Sequence, residues 1–497
     1  MSAVTAQEAQ AHPAADPVWG IEQNGINSIP DTERHGSPFE LFWIWFAANI
    51  SVLAIVYGAI VVSFGLNLWQ SILAAFVGTW LSFLLVGFVS LAGKRSGAPT
   101  LVLSRASFGI FGNVFPNLAS YLSLVGWETV LVALSTLAVE ALFKRLSLPT
   151  GTGLTAVTFI LIALLVIAVG LLGHATIVRI QTWFTWAFTV LTVIFVILEI
   201  PKINGAQLTA LHSGSWLNGF IPATSIIMAA LGLGWVNSAA DYSRYLPRRA
   251  SSRSVVGWTT FGGSIAPFLL IVFGVLLFAK NQSLASSSNP IGDIAAPLPT
   301  WFLVPYLVVA VGGLVAGAVL DIYSSGLNLL TLGLRVERYK SVALDGAIMI
   351  AGNIYILFVA KNFVGPFEAF LSVLGVLLTA WVAVFLVDLV MFRRQGYREA
   401  DLYTTGPGAY HYWHGVNPRA LFAWFAAVIV GLGLITSTVS WLTWLGWWAR
   451  GPFANSSLGI LVAFVIGAAL YWALNLIDLP KNRALASQSS GSAHPAE

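Results

Sequence analysis

The chain has 497 residues, 57% of them hydrophobic and only 9% charged, with a mean hydropathy of +0.82, whereas a soluble protein spends about 25% of its residues on Asp, Glu, Lys and Arg. A water-soluble surface is excluded; helices of about 20 apolar residues, crossing a hydrocarbon layer of about 30 Å, account for nearly the whole length. There is no cysteine, and the seven histidines are scattered without a two-His ligand spacing, which excludes disulfides and thiolate chemistry and leaves an enzyme or a metal centre without support.

Residues 1 to about 36 are polar and carry Glu22, Asp31, Glu33 and Arg34. They lack the basic and apolar regions of a signal peptide and read as a cytoplasmic tail. Apolar runs bounded by charge, Pro and Gly then predict twelve transmembrane helices, near 39–65, 68–92, 114–141, 153–173, 177–200, 217–240, 256–280, 300–330, 342–361, 364–392, 418–445 and 456–479. The eighth is open to a different cut, because Gly312, Gly313 and Gly317 interrupt it. Residues 481–497, rich in Ser and Ala, read as a second cytoplasmic tail.

With both termini inside, about three-quarters of the 24 basic residues fall in inner segments, among them Lys94, Arg95, Arg105, Arg248, Arg338 and Arg393, as retention of Lys and Arg in the cytoplasm requires. The pI near 9.2 has the same origin and calls for a lipid bilayer, not a nucleic acid, as partner. The expected location is the plasma membrane.

In the first span, Asn49 and Ser51 interrupt the apolar run of Trp45-Phe46-Ala47-Ala48-Asn49-Ile50-Ser51; in the sixth, Gly232 and Gly234 flank Leu233 ahead of Trp235. Each Gly weakens a helix interior by about 1 kcal/mol relative to Ala. Paired interruptions of this kind are where carriers expose backbone groups to a solute near the bilayer midplane, although small residues also serve close helix packing. Two carboxylates stand inside spans: Glu128 in the third and Asp321 in the eighth. A charge at the membrane centre costs on the order of 2.5–3.5 kcal/mol, and no Lys or Arg lies comparably deep. Trp127 beside Glu128, and Trp235 at the glycine break, offer aromatic faces on which a base could stack, worth about 1–3 kcal/mol.

These segments resemble the nucleobase:cation symporter family in its purine/cytosine permease branch. The resemblance is carried by Gly20-Ile21-Glu22 and Ile29-Pro30-Asp31-Thr32-Glu33-Arg34 before the first span, and by Gly93-Lys94-Arg95-Ser96-Gly97 with Ser104-Arg105-Ala106-Ser107-Phe108-Gly109 after the second. Gly234-Trp235 leading into Ala240-Asp241-Tyr242-Ser243-Arg244-Tyr245-Leu246-Pro247 adds to it. It implies an all-α, LeuT-type fold: a ten-helix core over 37–392, built of inverted repeats 37–200 and 217–392, with two peripheral helices over 393–480. It also implies a solute held by Trp127, Trp235, Asp321, Asn49 and Gly234, with Glu128 added beside the third-span Trp.

The chain departs from its relatives at two places. Leu131 stands where an amide is common, and Asp321 where Asn is common. An ionised carboxylate accepts but cannot donate, so the site should favour N–H-rich solutes such as adenine, guanine or cytosine; thiamine, its hydroxymethylpyrimidine precursor and allantoin are the alternatives. Ala316 and Val315, five and six residues before Asp321, bring no hydroxyl to a sodium site. Glu128 and Asp321 therefore favour H+ over Na+ as the coupling ion, with no other cofactor. Arg105, Asp241 and Arg244 could form a cytoplasmic latch, or equally be solvated topology signals. The expected activity is secondary active transport, not catalysis.

Overall fold

The computed structural model describes residues 26–476 except 172–173, 204, 281–286, 334–337, 361–362, 438 and 440–441. The expected tail 481–497, most of the tail 1–36 and the segment Gly20-Ile21-Glu22 lie outside the described residues. Among the described residues there is helix and no strand beyond one isolated bridge, Trp413 to Val416.

The first span is two helices, α1 (Phe39–Asn49) and α2 (Val52–Ser63), bent by 67° at a two-residue break. The cause is local. Ile50 and Ser51 are extended, Ser51 at φ −142° and ψ 148°, and the Ser51 Oγ accepts a hydrogen bond from Leu53 N at 3.3 Å, capping α2. Asn49 turns its amide back to Trp45 O at 2.8 Å.

Next come α3 (Leu68–Ser96), opened by a reciprocal Asn67–Gln70 capping box and closed by Gly97 at φ 79°, and α4 (Thr100–Phe108), a short helix within the expected inner loop. They are followed by α5 (Val114–Arg145), longer than expected, α6 (Thr152–Gly170) and α7 (His174–Glu199).

The sixth span, Trp216–Ser243, is segmented into α8 (Ile221–Ala230), α9 (Gly232–Trp235), a 3-10 turn and α10 (Ala239–Ser243). Its irregular residue is Leu231, at φ −118° and ψ −109°, not either glycine. Gly232 permits contact: a Cβ there would stand 2.3 Å from the carbonyl carbon of Ser82 on α3. Its N–H, released by the irregularity, donates to Ser82 Oγ at 3.2 Å.

The remaining helices are α11 (Ser252–Lys280), α12 (Thr300–Thr331), α13 (Arg338–Phe358), α14 (Val364–Met391), α15 (Pro418–Gly433) and α16 (Gly459–Asn475). Two expectations are corrected. Gly312, Gly313 and Gly317 do not interrupt α12, which is continuous; a Cβ on Gly312 would stand 2.0 Å from the Phe184 ring of α7, so that glycine serves packing. The eleventh span, expected to reach 445, ends at Gly433, where the chain folds back and Gly446 N and Trp448 N donate to Leu432 O and Gly433 O at 3.0 and 2.8 Å.

Among the described residues nine helices are long and apolar enough to cross a membrane, and the α1–α2 pair makes a tenth. α15 and α16, of 16 and 17 residues, stand where the eleventh and twelfth spans were expected. α12 runs along α5, α11 lies against α1, α2 and α3, and α15 and α16 pack on α14. The third and eighth spans, which carry the two deep acids, are thus direct neighbours.

Candidate functional site

The break in α1–α2 and the irregular sixth span face one another across a cavity. Its walls are Ala47–Ser51 and Tyr57 from the first span, Trp127 and Leu131 from α5, and Ala230, Leu231, Gly234 and Trp235 from the sixth. Gly313, Ala316, Gly317 and Asp321 of α12 complete one side, and Phe184, Thr185 and Phe188 of α7 another. About 70 Å³ of it is open to the centre of a water molecule, several times the roughly 10–15 Å³ that one water requires. It can take a small planar solute.

Each wall has a structural reason. Trp235 Nε1 donates to Asn49 Oδ1 at 3.2 Å, tying the sixth-span indole to the first-span break, and Trp45 meets it edge-on at 5.8 Å. Trp127 is fixed from behind by Phe367 and Phe370 of α14, both edge-on at 5.8 and 5.7 Å. A Cβ on Gly234 would come within 3.0 Å of Trp127 Nε1, so glycine there lets the two aromatic walls approach. Asp321 is 2% exposed, and no described residue hydrogen-bonds to its carboxylate. A buried acceptor of this kind is costly unless something supplies donors.

The structure therefore brings Trp127, Trp235, Asp321, Asn49 and Gly234 to one cavity. It does not bring Glu128 there. Glu128 is fully buried on the neighbouring face of α5, where Ser325 Oγ lies 3.0 Å from its Oε1. The same Ser325 oxygen is 2.8 Å from Oδ2 of Asp345 on α13, whose Oδ1 accepts from Tyr121 Oη at 2.5 Å. Asp345 was missed in the sequence because it stands near the expected start of its span. The α7 residues Phe184, Thr185 and Phe188 were missed because nothing in an evenly apolar helix distinguishes its cavity face.

A polar layer lies beside the cavity: Asn237 Nδ2 and Asn328 Nδ2 both donate to Ser120 Oγ, at 2.7 and 2.6 Å, and Asn117 Nδ2 to Asn328 O at 3.1 Å. The three latch candidates, Arg105, Asp241 and Arg244, are all buried. Arg105 donates to Thr331 O and Leu402 O at 2.7 and 3.0 Å, and burial draws its guanidinium below the ordinary range. Asp241 accepts from the backbone and hydroxyl of Thr100 at 2.7 and 2.8 Å, and Arg244 donates to Tyr245 Oη at 3.1 Å. Arg248 makes a cross-tie as well, reaching Asp31 at 2.8 Å and Glu399 at 2.5 Å and joining the N-terminal segment to the loop after α14. The hydrogen bond from Arg248 holds Asp31 below the usual carboxylate range.

A family described as permeases for cytosine/purines, uracil, thiamine and allantoin matches residues 28–468. Among individual proteins, YxlA of Bacillus subtilis (strain 168), which carries a purine-cytosine permease name, is 26% identical over 473 residues, 90% of this chain and 94% of that one. The hydantoin permease of Microbacterium maritypicum is 25% identical over 83% of this chain and 84% of its own. Among solved structures, the closed form of Mhp1, a nucleobase-cation-symport-1 transporter with bromovinylhydantoin bound, superposes with a TM-score of 0.69 at 20% identity, covering 94% and 97% of the two chains. The fold is accordingly the LeuT-type fold expected from the sequence. With that fold, and with the family match running over nearly the whole of its length, the chain belongs to the family of cytosine/purine, uracil, thiamine and allantoin permeases.

Proposed function

We propose that this chain is a proton-coupled importer of nucleobases that bear exocyclic amines, adenine, guanine or cytosine, working by alternating access. The observation that carries the reading is Asp321, a buried carboxylate without a described hydrogen-bond donor, in a cavity that also holds Trp127 and Trp235. The indoles give stacking faces for a planar ring, and the carboxylate accepts from its N–H edge. Asn49 holds Trp235 in place and keeps the first-span break within reach of the solute.

The core at 37–392 carries the alternation, with residues 393–480 peripheral to it, in the plasma membrane with both termini cytoplasmic. Proton coupling is favoured over sodium because Ala316 lines the cavity side of α12 without a hydroxyl, whereas carboxyl groups buried without cationic partners suit proton transfer.

A second reading, a hydantoin- or allantoin-type ring as solute, is favoured by one observation. Proteins named hydantoin permease and allantoin permease align over 83% and 86% of this chain, nearly as fully as YxlA, which carries a purine-cytosine permease name, at 90%. Uptake of labelled adenine, guanine, cytosine, hydantoin and allantoin by cells producing the protein separates the two. Saturable uptake of the amine-bearing bases, competed by one another, is expected; uptake of the ureide rings alone overturns the base reading.

A further inference from the structure

The group around Glu128 lies outside the solute cavity and has a stereochemical problem of its own. Ser325 Oγ is 3.0 Å from Glu128 Oε1, 2.8 Å from Asp345 Oδ2 and 3.0 Å from Ile322 O. All three are acceptors when the acids are ionised, and a serine hydroxyl has one proton to give. Whichever oxygen it serves, at least one carboxyl oxygen is left facing Ser325 Oγ at hydrogen-bond separation with no hydrogen between them. The contact is satisfied only if that carboxyl carries a proton and donates it to Ser325. The separations are those of O–H···O bonds.

A second observation points the same way. The other oxygen of Glu128, Oε2, is buried with no hydrogen-bond partner, a costly arrangement for a carboxylate and a much cheaper one for a neutral acid.

We propose that Glu128, Ser325 and Asp345 form a proton-binding site distinct from the solute cavity, in which one proton is shared across the Ser325 bridge and exchanges with the inner face through Asp345 and Tyr121. Ser325 can relay: as Glu128 passes its proton to Ser325 Oγ, Ser325 passes its own to the Asp345 carboxylate, so that two O–H bonds break and two form, and rotation of the hydroxyl then resets the bridge. Asp345 and Tyr121 both lie about two turns, roughly 10 Å, from the ends of α13 and α5, at the side that the basic loop residues mark as inner.

The other titratable groups that act on the site are Tyr121 on α5 and Asp321 on α12; α6, which also packs on α5, α12 and α13, carries none. None of the ion pairs among the described residues includes Glu128 or Asp345. Asp321 reaches the site only through its charge, since it faces the cavity. Solute binding at Asp321 and proton occupancy at Glu128 can therefore be coupled through the field of one carboxylate on another.

The role in coupling rests on the proton-symport reading above; the existence of the site does not, and the test separates them. The full-length protein in lipid nanodiscs, without solute, is compared by infrared difference spectroscopy with Asp345→Asn, Glu128→Gln and Ser325→Ala. The expected result is a protonated-carboxyl carbonyl band in the wild type that is lost in the two acid variants and shifted in Ser325→Ala, which leaves both acids in place. A carbonyl region unchanged in Asp345→Asn and Ser325→Ala overturns the site. In sodium-free proteoliposomes, accumulation of adenine driven by an imposed pH gradient is expected to fall in Asp345→Asn to the level reached without the gradient. A band that depends on Asp345, in a wild-type protein whose uptake ignores the pH gradient, upholds the site and refutes the symport reading instead.

Discussion

Replacing Asp321 by Asn exchanges one carboxylate oxygen for an NH2 group and nearly keeps the side-chain volume, so its effect falls on recognition. The carboxylate is buried, lines the cavity and accepts no hydrogen bond from a described residue. In the proposed complex it accepts from the exocyclic amine of the base. A hydrogen bond to a charged group contributes about 1.5–3 kcal/mol, and at 1.4 kcal/mol per tenfold its loss corresponds to about 10- to 150-fold in affinity. The amide keeps one acceptor and brings two donors, so bases presenting a carbonyl at that edge hold or improve. The assay is competition of labelled adenine uptake by adenine, guanine, cytosine, hypoxanthine and uracil, wild type against Asp321→Asn. The expected outcome is selective weakening of the amine-bearing bases, with hypoxanthine and uracil level or stronger. A uniform shift across all five, or none, would refute the assignment of Asp321 to the base edge.

Trp127→Ala should raise the concentration for half-maximal uptake about 5- to 150-fold, the equivalent of one stacking contact of about 1–3 kcal/mol; an unchanged value would remove Trp127 from the solute. Gly232→Val drives a side chain into the Ser82 backbone, and overpacking of this kind costs about 1–3 kcal/mol, so thermal unfolding of the purified protein should move downward. An unchanged transition would contradict the contact between α3 and the sixth span. Arg248→Gln should free the N-terminal segment, read as faster maleimide labelling of a Ser28→Cys variant in this cysteine-free chain. The folded Asp31 is held below its ordinary value of 3.8 by Arg248, so its share of the tie is intact above that value and is lost only as pH falls through the lower folded one. Labelling of the Ser28→Cys protein that retains Arg248, divided by that of a free thiol at the same pH to remove the thiolate dependence, should accordingly be flat from neutral to mildly acid pH, and a rise there would show that another group holds the segment.

The first-span break was legible because its cause is short-range. Ser51 caps α2 through its own hydroxyl, and Asn49 folds back on Trp45. Where the cause is tertiary, the sequence pointed to the neighbourhood and missed the residue: the sixth span is irregular at Leu231, while Gly232 and Gly234 serve close approach to Ser82 and Trp127. The same distinction explains α12, whose Gly312 and Gly317 look like a break and instead admit Phe184 and Leu131. In the eleventh span, the fold-back after Gly433 is held by hydrogen bonds between residues about 14 apart, which an apolar run does not reveal. Of the two deep acids, Asp321 stands where it was expected. Glu128 turns to the other side of α5, since neighbours in a helix point about 100° apart and the Trp127 indole already takes the cavity face. Its partner Asp345 could have been found by asking which helix faces the third span besides the eighth.

The most direct measurement of the central claim is uptake of labelled adenine or cytosine into proteoliposomes holding the purified protein, with a pH gradient or a sodium gradient imposed separately. Accumulation above equilibrium driven by the pH gradient alone, saturable and abolished by a protonophore, is the predicted result. Accumulation that follows only the sodium gradient, or uptake that merely equilibrates and does not saturate, would contradict it.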